Sequence, residues 1–222
     1  MSAILFGSIS TIADTSELQR EAFNRAFEEH ELDWHWPREQ YLEQLGKSGG
    51  KRRIAEFARS RGEDVDAAAV HRSKSEIFQA SLGDSDISPR PGVVETIREG
   101  KEQGVRLGLV TTTSQENVRA LLKALSEDLA ESDFDLVVDA SMVNQAKPDP
   151  AAYLFALERM DQEADDCVAI EDNLGGVEAA QAAGLACAAF PNQNTASHDF
   201  SHADRVLERL SFAEVRVPFQ EG

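Results

Sequence analysis

Four short segments of this chain carry residue types that handle phosphate or a hard cation. Thr111-Thr112-Thr113-Ser114 gathers four hydroxyls where a helical stretch begins. Free backbone N–H groups collect at such a point, and the combination receives an anion. Ser114 is also a good helix N-cap, a role that needs no ligand. Lys147, in Ala146-Lys147-Pro148-Asp149-Pro150, stands on a proline-stiffened loop ahead of a helix. It is either a fixed cation for a bound anion or a solvated charge. Glu171-Asp172 closes an apolar run, and adjacent carboxylates in a cleft suit Mg²⁺. Charge compensation at the start of the following helix is the competing account. The fourth segment, residues 7–15, follows the first apolar run and holds Ser8, Ser10, Thr11 and Asp14.

An alternation of elements must bring these segments together. Ala3-Ile4-Leu5-Phe6 is apolar without alternation, as in a strand covered on both faces. Over residues 15–80 no comparable run appears. Leu18, Ala22, Phe23, Ala26 and Phe27 recur at helical spacing there, as do Ile54, Phe57 and Ala58, with breaks at Pro37, Gly46, Gly49-Gly50 and Gly62. A second regime begins at Pro89-Arg90-Pro91-Gly92. The pattern predicts helices over 93–103, 115–125, 150–160 and 174–183, and strands over 105–110, 134–138, 167–170 and 185–190. Gly104 and Gly184 stand where helix C-cap glycines belong. The tail has room for a short strand at 205–207 and a last helical turn. The fold class is therefore α/β, a doubly wound parallel sheet, with the helical block 15–83 inserted after strand one into a core of 1–14 and 84–222. Ligands of such sheets sit outside the carboxyl ends of the strands, which is where the four segments fall.

Composition narrows the partners. With 22 Lys and Arg against 40 Asp and Glu the formal charge is −18, which disfavours nucleic acid and anionic membrane surfaces. The apolar runs are strand-sized, and MSAILFGSIS has neither the basic nor the long apolar region of a secretory signal. Cys167 and Cys187 lie in apolar runs, so a disulfide framework is not expected. The expectation is a soluble cytoplasmic protein, monomeric, with a small-molecule ligand.

On this alternation the four segments, in this order, resemble the haloacid dehalogenase superfamily. Within it the match is to the cap-bearing branch that includes β-phosphoglucomutase and xylulose bisphosphate phosphatase. Ile4-Leu5-Phe6 with Thr11 and Asp14-Thr15 matches the frame of the first motif, Thr111 the second, and Lys147-Pro148-Asp149-Pro150 the third. Glu171-Asp172-Asn173 with Gly176 and Ala179-Ala180 matches the fourth. In the inserted block, Ala22-Phe23-Asn24, Asp33-Trp34-His35-Trp36, Gly49-Gly50-Lys51 and His71-Arg72-Ser73-Lys74 look most like the bisphosphate phosphatases. The resemblance implies a Rossmann-like core, an α-helical cap, Mg²⁺ as cofactor and a phosphorylated sugar as ligand. It assigns Thr111 and Lys147 to catalysis, Asp172 and Glu171 to the metal, and Lys51, Lys74, Thr112 and Gln19 to substrate. Gln19 stands where the family often has a histidine.

The chain departs from the family at its centre. The first motif reads Asp, any residue, Asp; the first Asp is the nucleophile and the second the general acid/base. Counted without a gap from Phe6, those positions are Gly7 and Ile9. Glycine offers no nucleophile, and general acid/base help is worth about 10²–10⁴ in rate. Ser8 is expected to face away, because side chains alternate along an extended segment. Lys147 against Glu171 and Asp172 leaves one net negative charge, the same as the family's complete set carries with Mg²⁺ bound. The expectation is a phosphosugar-binding protein with impaired catalysis, weak or absent Mg²⁺ binding, and two rivals. One is an active hydrolase with a displaced nucleophile or metal-activated water, the other a non-enzymatic regulator.

Overall fold

The first strand sets the frame. In the computed structural model, which describes residues 1–45 and 49–216, β1 (Ala3–Phe6) is buried along its whole length. Its residues alternate between two cores: Ile4 and Phe6 enter one, Ala3 and Leu5 the other. That double burial is why the run shows no polar alternation. The break read at Gly46 lies outside the described residues.

After β1 the chain makes one short helical turn, α1 (Ile9–Ile12), and then leaves the sheet for four helices. These are α2 (Ser16–Glu29), α3 (Arg38–Gln44), α4 (Gly50–Arg61) and α5 (Ala67–Gly83). They close on an aromatic cluster of Phe23, Phe27, Trp34, Trp36, Tyr41 and Phe57, with ring centroids such as Phe27–Trp36 4.6 Å apart. Asn24 fixes the strand-like link between α2 and α3: it donates to the Trp36 carbonyl at 3.1 Å and accepts from the Trp36 N–H at 2.7 Å.

The chain returns through α6 (Val93–Glu102) and β2 (Arg106–Val110), then α7 (Gln115–Ala124) and β3 (Leu136–Val138). Next come α8 (Ala151–Met160), β4 (Cys167–Glu171), α9 (Leu174–Ala182), β5 (Ala186–Ala189), β6 (Arg205–Val206) and α10 (Phe212–Arg216). The six strands form one parallel sheet in the order β3-β2-β1-β4-β5-β6. Residues of α6, α7 and α10 pack on the Ile4–Phe6 face, and residues of α8 and α9 on the Ala3–Leu5 face. This is the doubly wound α/β fold that the alternation predicts. Among the described residues no helix is long and apolar enough to cross a membrane.

Candidate functional site

The carboxyl ends of five parallel strands open into one pocket of about 420 Å³. Ser8 reaches it from β1, Thr111 and Thr112 from β2, Lys147 from the loop after β3, Asp172 from β4, and Asn192 and Thr195 from the loop after β5. The opposite wall belongs to the inserted helices, through Gln19 and Phe23 of α2, Lys51 and Arg53 of α4, and His71 and Lys74 of α5. Gly7 and Ile9 line the pocket too, so the two positions lacking carboxylates are at the site rather than beside it. Ser114 realises the capping role, accepting from the Asn117 N–H at 3.3 Å. Thr111 is buried, and its hydroxyl oxygen accepts from the Thr113 N–H at 3.2 Å.

Of the sequence-derived site residues, only Glu171 is not among the pocket's lining. It is wholly buried, and its carboxylate lies in the space beside Gly7. A Cβ added to Gly7 would stand 2.1 Å from Glu171 Cδ and 2.4 Å from the Tyr153 hydroxyl. A Cβ on Gly176 would also stand 2.1 Å from Glu171 Cδ, so the carboxylate lies in a slot between two glycines. Its Oε1 accepts from Lys147 Nζ at 2.6 Å and from the Tyr153 hydroxyl at 2.7 Å. Lys147 also donates to the carbonyls of Gly7 at 2.5 Å and Val110 at 2.8 Å, and sits 4.3 Å from the Tyr153 ring centre. Burial pushes the Glu171 carboxyl above its usual range, against the opposing pull of Lys147. Glu171 is therefore the counter-ion of a buried lysine rather than a carboxylate facing the cleft.

Ser8 corrects a second expectation. β1 ends at Phe6, and Ser8 is already the N-cap of α1, so strand alternation no longer governs its direction. Its hydroxyl donates to Asp172 Oδ1 at 2.7 Å and accepts from the Thr11 N–H at 3.1 Å. Asp172 is otherwise enclosed by amides. Asn173 Nδ2 reaches Oδ1 at 3.0 Å, and Asn192 Nδ2 reaches Oδ2 at 2.7 Å. Thr195 donates its hydroxyl to the Asp172 carbonyl at 2.6 Å, holding the post-β5 loop against the post-β4 loop. Asp14 stays at the entry to α2, where it accepts from Ser16 Oγ at 2.5 Å and the Gln193 N–H at 3.2 Å.

The wall built by the inserted helices is basic. Lys74 is only 4% exposed, donates to Gln19 Oε1 at 3.0 Å, and lies 4.9 Å from the ring centres of both Phe23 and Phe78. Burial, followed by the neighbouring Arg53 charge, brings its ammonium down to about 7. Burial likewise lowers His71, to about 4, so its imidazole is neutral at pH 7. Arg53 lies 5.5 Å from the Tyr41 ring centre and donates to the Gln44 carbonyl at 3.0 Å. Ser8, Arg53, His71, Asn192 and Thr195 carry no assigned role in the sequence reading. Asn192 and Thr195 follow β5, so the strand-end rule reaches them; Arg53 and His71 arrive only by the folding of α4 and α5 over the sheet.

Mg²⁺ wants near-octahedral oxygen ligation with open lone pairs. Here Gly7 supplies no carboxylate, Glu171 points into its slot, and Asp172 accepts on both oxygens. Among the described residues no cluster of three or more His, Cys, Asp or Glu side chains could hold a metal ion. The residues present do not fit the cation that the family resemblance implies.

The family model for haloacid dehalogenase-like hydrolases matches residues 1–184. The chain belongs to that family. Its relatives in this family include protein CbbY of Cereibacter sphaeroides, 43% identical over 216 residues, 96% of this chain and 93% of that one. CbbY of Rhodobacter capsulatus is 35% identical, covering 98% and 97% of the two chains. Among solved structures, CbbY from Rhodobacter sphaeroides in complex with phosphate superposes with a TM-score of 0.90 at 40% identity, over 98% of this chain and 100% of that one. A mutant of that protein in complex with xylulose-(1,5)bisphosphate superposes at 0.88 with 42% identity, over 96% of each chain. This haloacid dehalogenase-like hydrolase thus keeps the family's fold, with Gly7 and Ile9 where its first strand opens into the pocket.

Proposed function

We propose that this protein binds a small phosphorylated sugar between its sheet and a helical cap domain, residues 15–83 over a core of 1–14 and 84–222, and turns it over poorly or not at all. One observation carries the reading. Gly7 and Ile9 face the same pocket as Thr111, Thr112, Asp172, Lys51 and Lys74, so the groups that would receive a phosphate are kept where those that would cleave it are missing. The bisphosphate held by the 42%-identical relative supports a ligand with a phosphate for each wall. On the sheet side, the backbone N–H groups that open α7 and the Thr111 and Thr112 hydroxyls would receive one phosphate. On the helical side, Lys51, Arg53 and Lys74 would meet a second, with Gln19 beside them.

A second reading rests on the Ser8–Asp172 hydrogen bond of 2.7 Å, which pairs a hydroxyl with a carboxylate that could take its proton. In it Ser8 Oγ attacks phosphorus as its proton passes to Asp172, the P–O bond to the sugar breaks and the sugar oxygen is protonated by solvent. Water then attacks the phosphoserine, releasing inorganic phosphate and restoring the Ser8 hydroxyl and the Asp172 carboxylate.

A panel of sugar mono- and bisphosphates, assayed for inorganic phosphate release and by calorimetry, decides between them. Binding without release supports the first reading. Release that is abolished by Ser8→Ala and preserved by Asp14→Asn moves the assignment to the second. Neither binding nor release for any member defeats both.

A further inference from the structure

Glu171, the last residue of β4, and Asp172 directly after it each have a resident partner doing what a divalent cation would do. Lys147 answers Glu171 with a salt bridge of 2.6 Å, and the Glu171 carboxylate is wholly buried. The remaining Glu171 oxygen, Oε2, is buried without a hydrogen-bond partner, but it faces the Gly176 side of the slot. Neither Glu171 nor Gly176 lines the pocket, so that oxygen gives a pocket cation no point of attachment. Asp172 takes three donated hydrogen bonds, from Ser8, Asn173 and Asn192. It also interacts electrostatically with Arg90, whose guanidinium is held by the Phe190 and Pro191 carbonyls at 2.8 and 2.6 Å. Displacing those donors would leave two amides and a hydroxyl without their acceptor, one of them, Asn192, buried.

We infer that this centre is independent of divalent cations: Glu171 occupies the space left at position 7 as the counter-ion of Lys147, and Ser8 with Asn192 holds Asp172 in the cation's place. The phosphate ligand is then received by hydroxyls and N–H groups alone on the sheet side. This rests on the ligand-binding proposal above only for the identity of the ligand; the exclusion of the cation stands on the donor set.

The test has a metal arm and a ligand arm. Mn²⁺ is titrated into the full chain and its free fraction followed by electron paramagnetic resonance. Separately, inorganic phosphate is titrated calorimetrically in EDTA and in excess Mg²⁺. Gly7→Asp/Ile9→Asp, which returns two carboxylates to the pocket, is the positive control for Mn²⁺ uptake. The expected result is that Mn²⁺ stays free with the unaltered chain, while phosphate affinity agrees within about a factor of two between the two buffers. Stoichiometric Mn²⁺ uptake lost on Asp172→Asn, or phosphate binding tightened by about tenfold or more in Mg²⁺, overturns the inference. Free Mn²⁺ with no phosphate binding in either buffer upholds it and sinks the ligand-binding proposal instead.

Discussion

Two lysines, both buried and both at the pocket, live in opposite electrostatic circumstances. Lys147 on the sheet side is 6% exposed and meets the Glu171 carboxylate at 2.6 Å. Lys74 on the helical side is 4% exposed and meets an amide oxygen and two phenyl rings. Removing a charge from water costs several kcal/mol unless a partner restores it. The sheet side restores it internally, whereas the helical side leaves the ammonium weakly held and easily neutralised. A doubly charged phosphate would complete the second lysine but would compete with Glu171 at the first.

The largest expected consequence is in stability. Lys147→Met strands Glu171 in its slot and is expected to cost about 3–5 kcal/mol in urea denaturation. Adding Glu171→Gln should recover most of that loss. Lys74→Met strands no carboxylate and should be neutral or stabilising at pH 7. Equal costs for the two methionine variants would erase the contrast between the lysines.

Position 7 gives the next effect. Gly7→Ala pushes a methyl group against the Glu171 carboxylate and should cost about 1–3 kcal/mol. Gly7→Asp, although bulkier, brings a carboxylate of its own for Lys147 and lets the flexible end of Glu171 withdraw. It should therefore cost less than the alanine, as read by the midpoint of the same denaturation curve. An aspartate costlier than alanine would mean that Glu171 has nowhere else to go. Placing a carboxylate at position 7 thus entails moving a second side chain, distant in sequence.

The pH dependence follows from Lys74. Its folded-state value of about 7 lies below the ordinary 10.5, so the unfolded chain holds the proton more firmly over that interval. Stability should therefore rise with pH from about 7 to about 10.5 and lose this increment in Lys74→Met. Affinity for a phosphosugar should run the other way, falling as pH rises through 7, because a phosphate wants the ammonium. His71, beside Lys74, stays neutral across that range. Calorimetry at pH 6 and pH 9 checks the direction. The smallest effect is expected at Asp14→Ala, about 1 kcal/mol, from the hydrogen bonds that tie the start of α2 to Gln193.

The sheet is legible in the sequence because its central strands β1 and β4 are buried along their whole length and read as unbroken apolar runs between helical stretches. Thr111, Lys147 and Asp172 are legible for a related reason: strand ends in such a sheet converge. Ser8 is misread because the strand stops at Phe6, one residue sooner than the alternation argument needs. The pairing of Glu171 with Lys147 is not legible, because the slot that takes the carboxylate is marked only by two missing side chains, at Gly7 far away in sequence and at Gly176. Arg53 and His71 look like ordinary polar positions on α4 and α5 until those helices lie across from the sheet.

Both tryptophans of the chain, Trp34 and Trp36, are buried in the aromatic cluster of the inserted helices, and the sheet has none. Intrinsic fluorescence therefore views one part of the molecule while far-ultraviolet circular dichroism views all of it. Coincident melting by the two methods would make helices and sheet a single cooperative unit. An earlier fluorescence transition would mean that the helical wall comes apart first and the sheet outlives it.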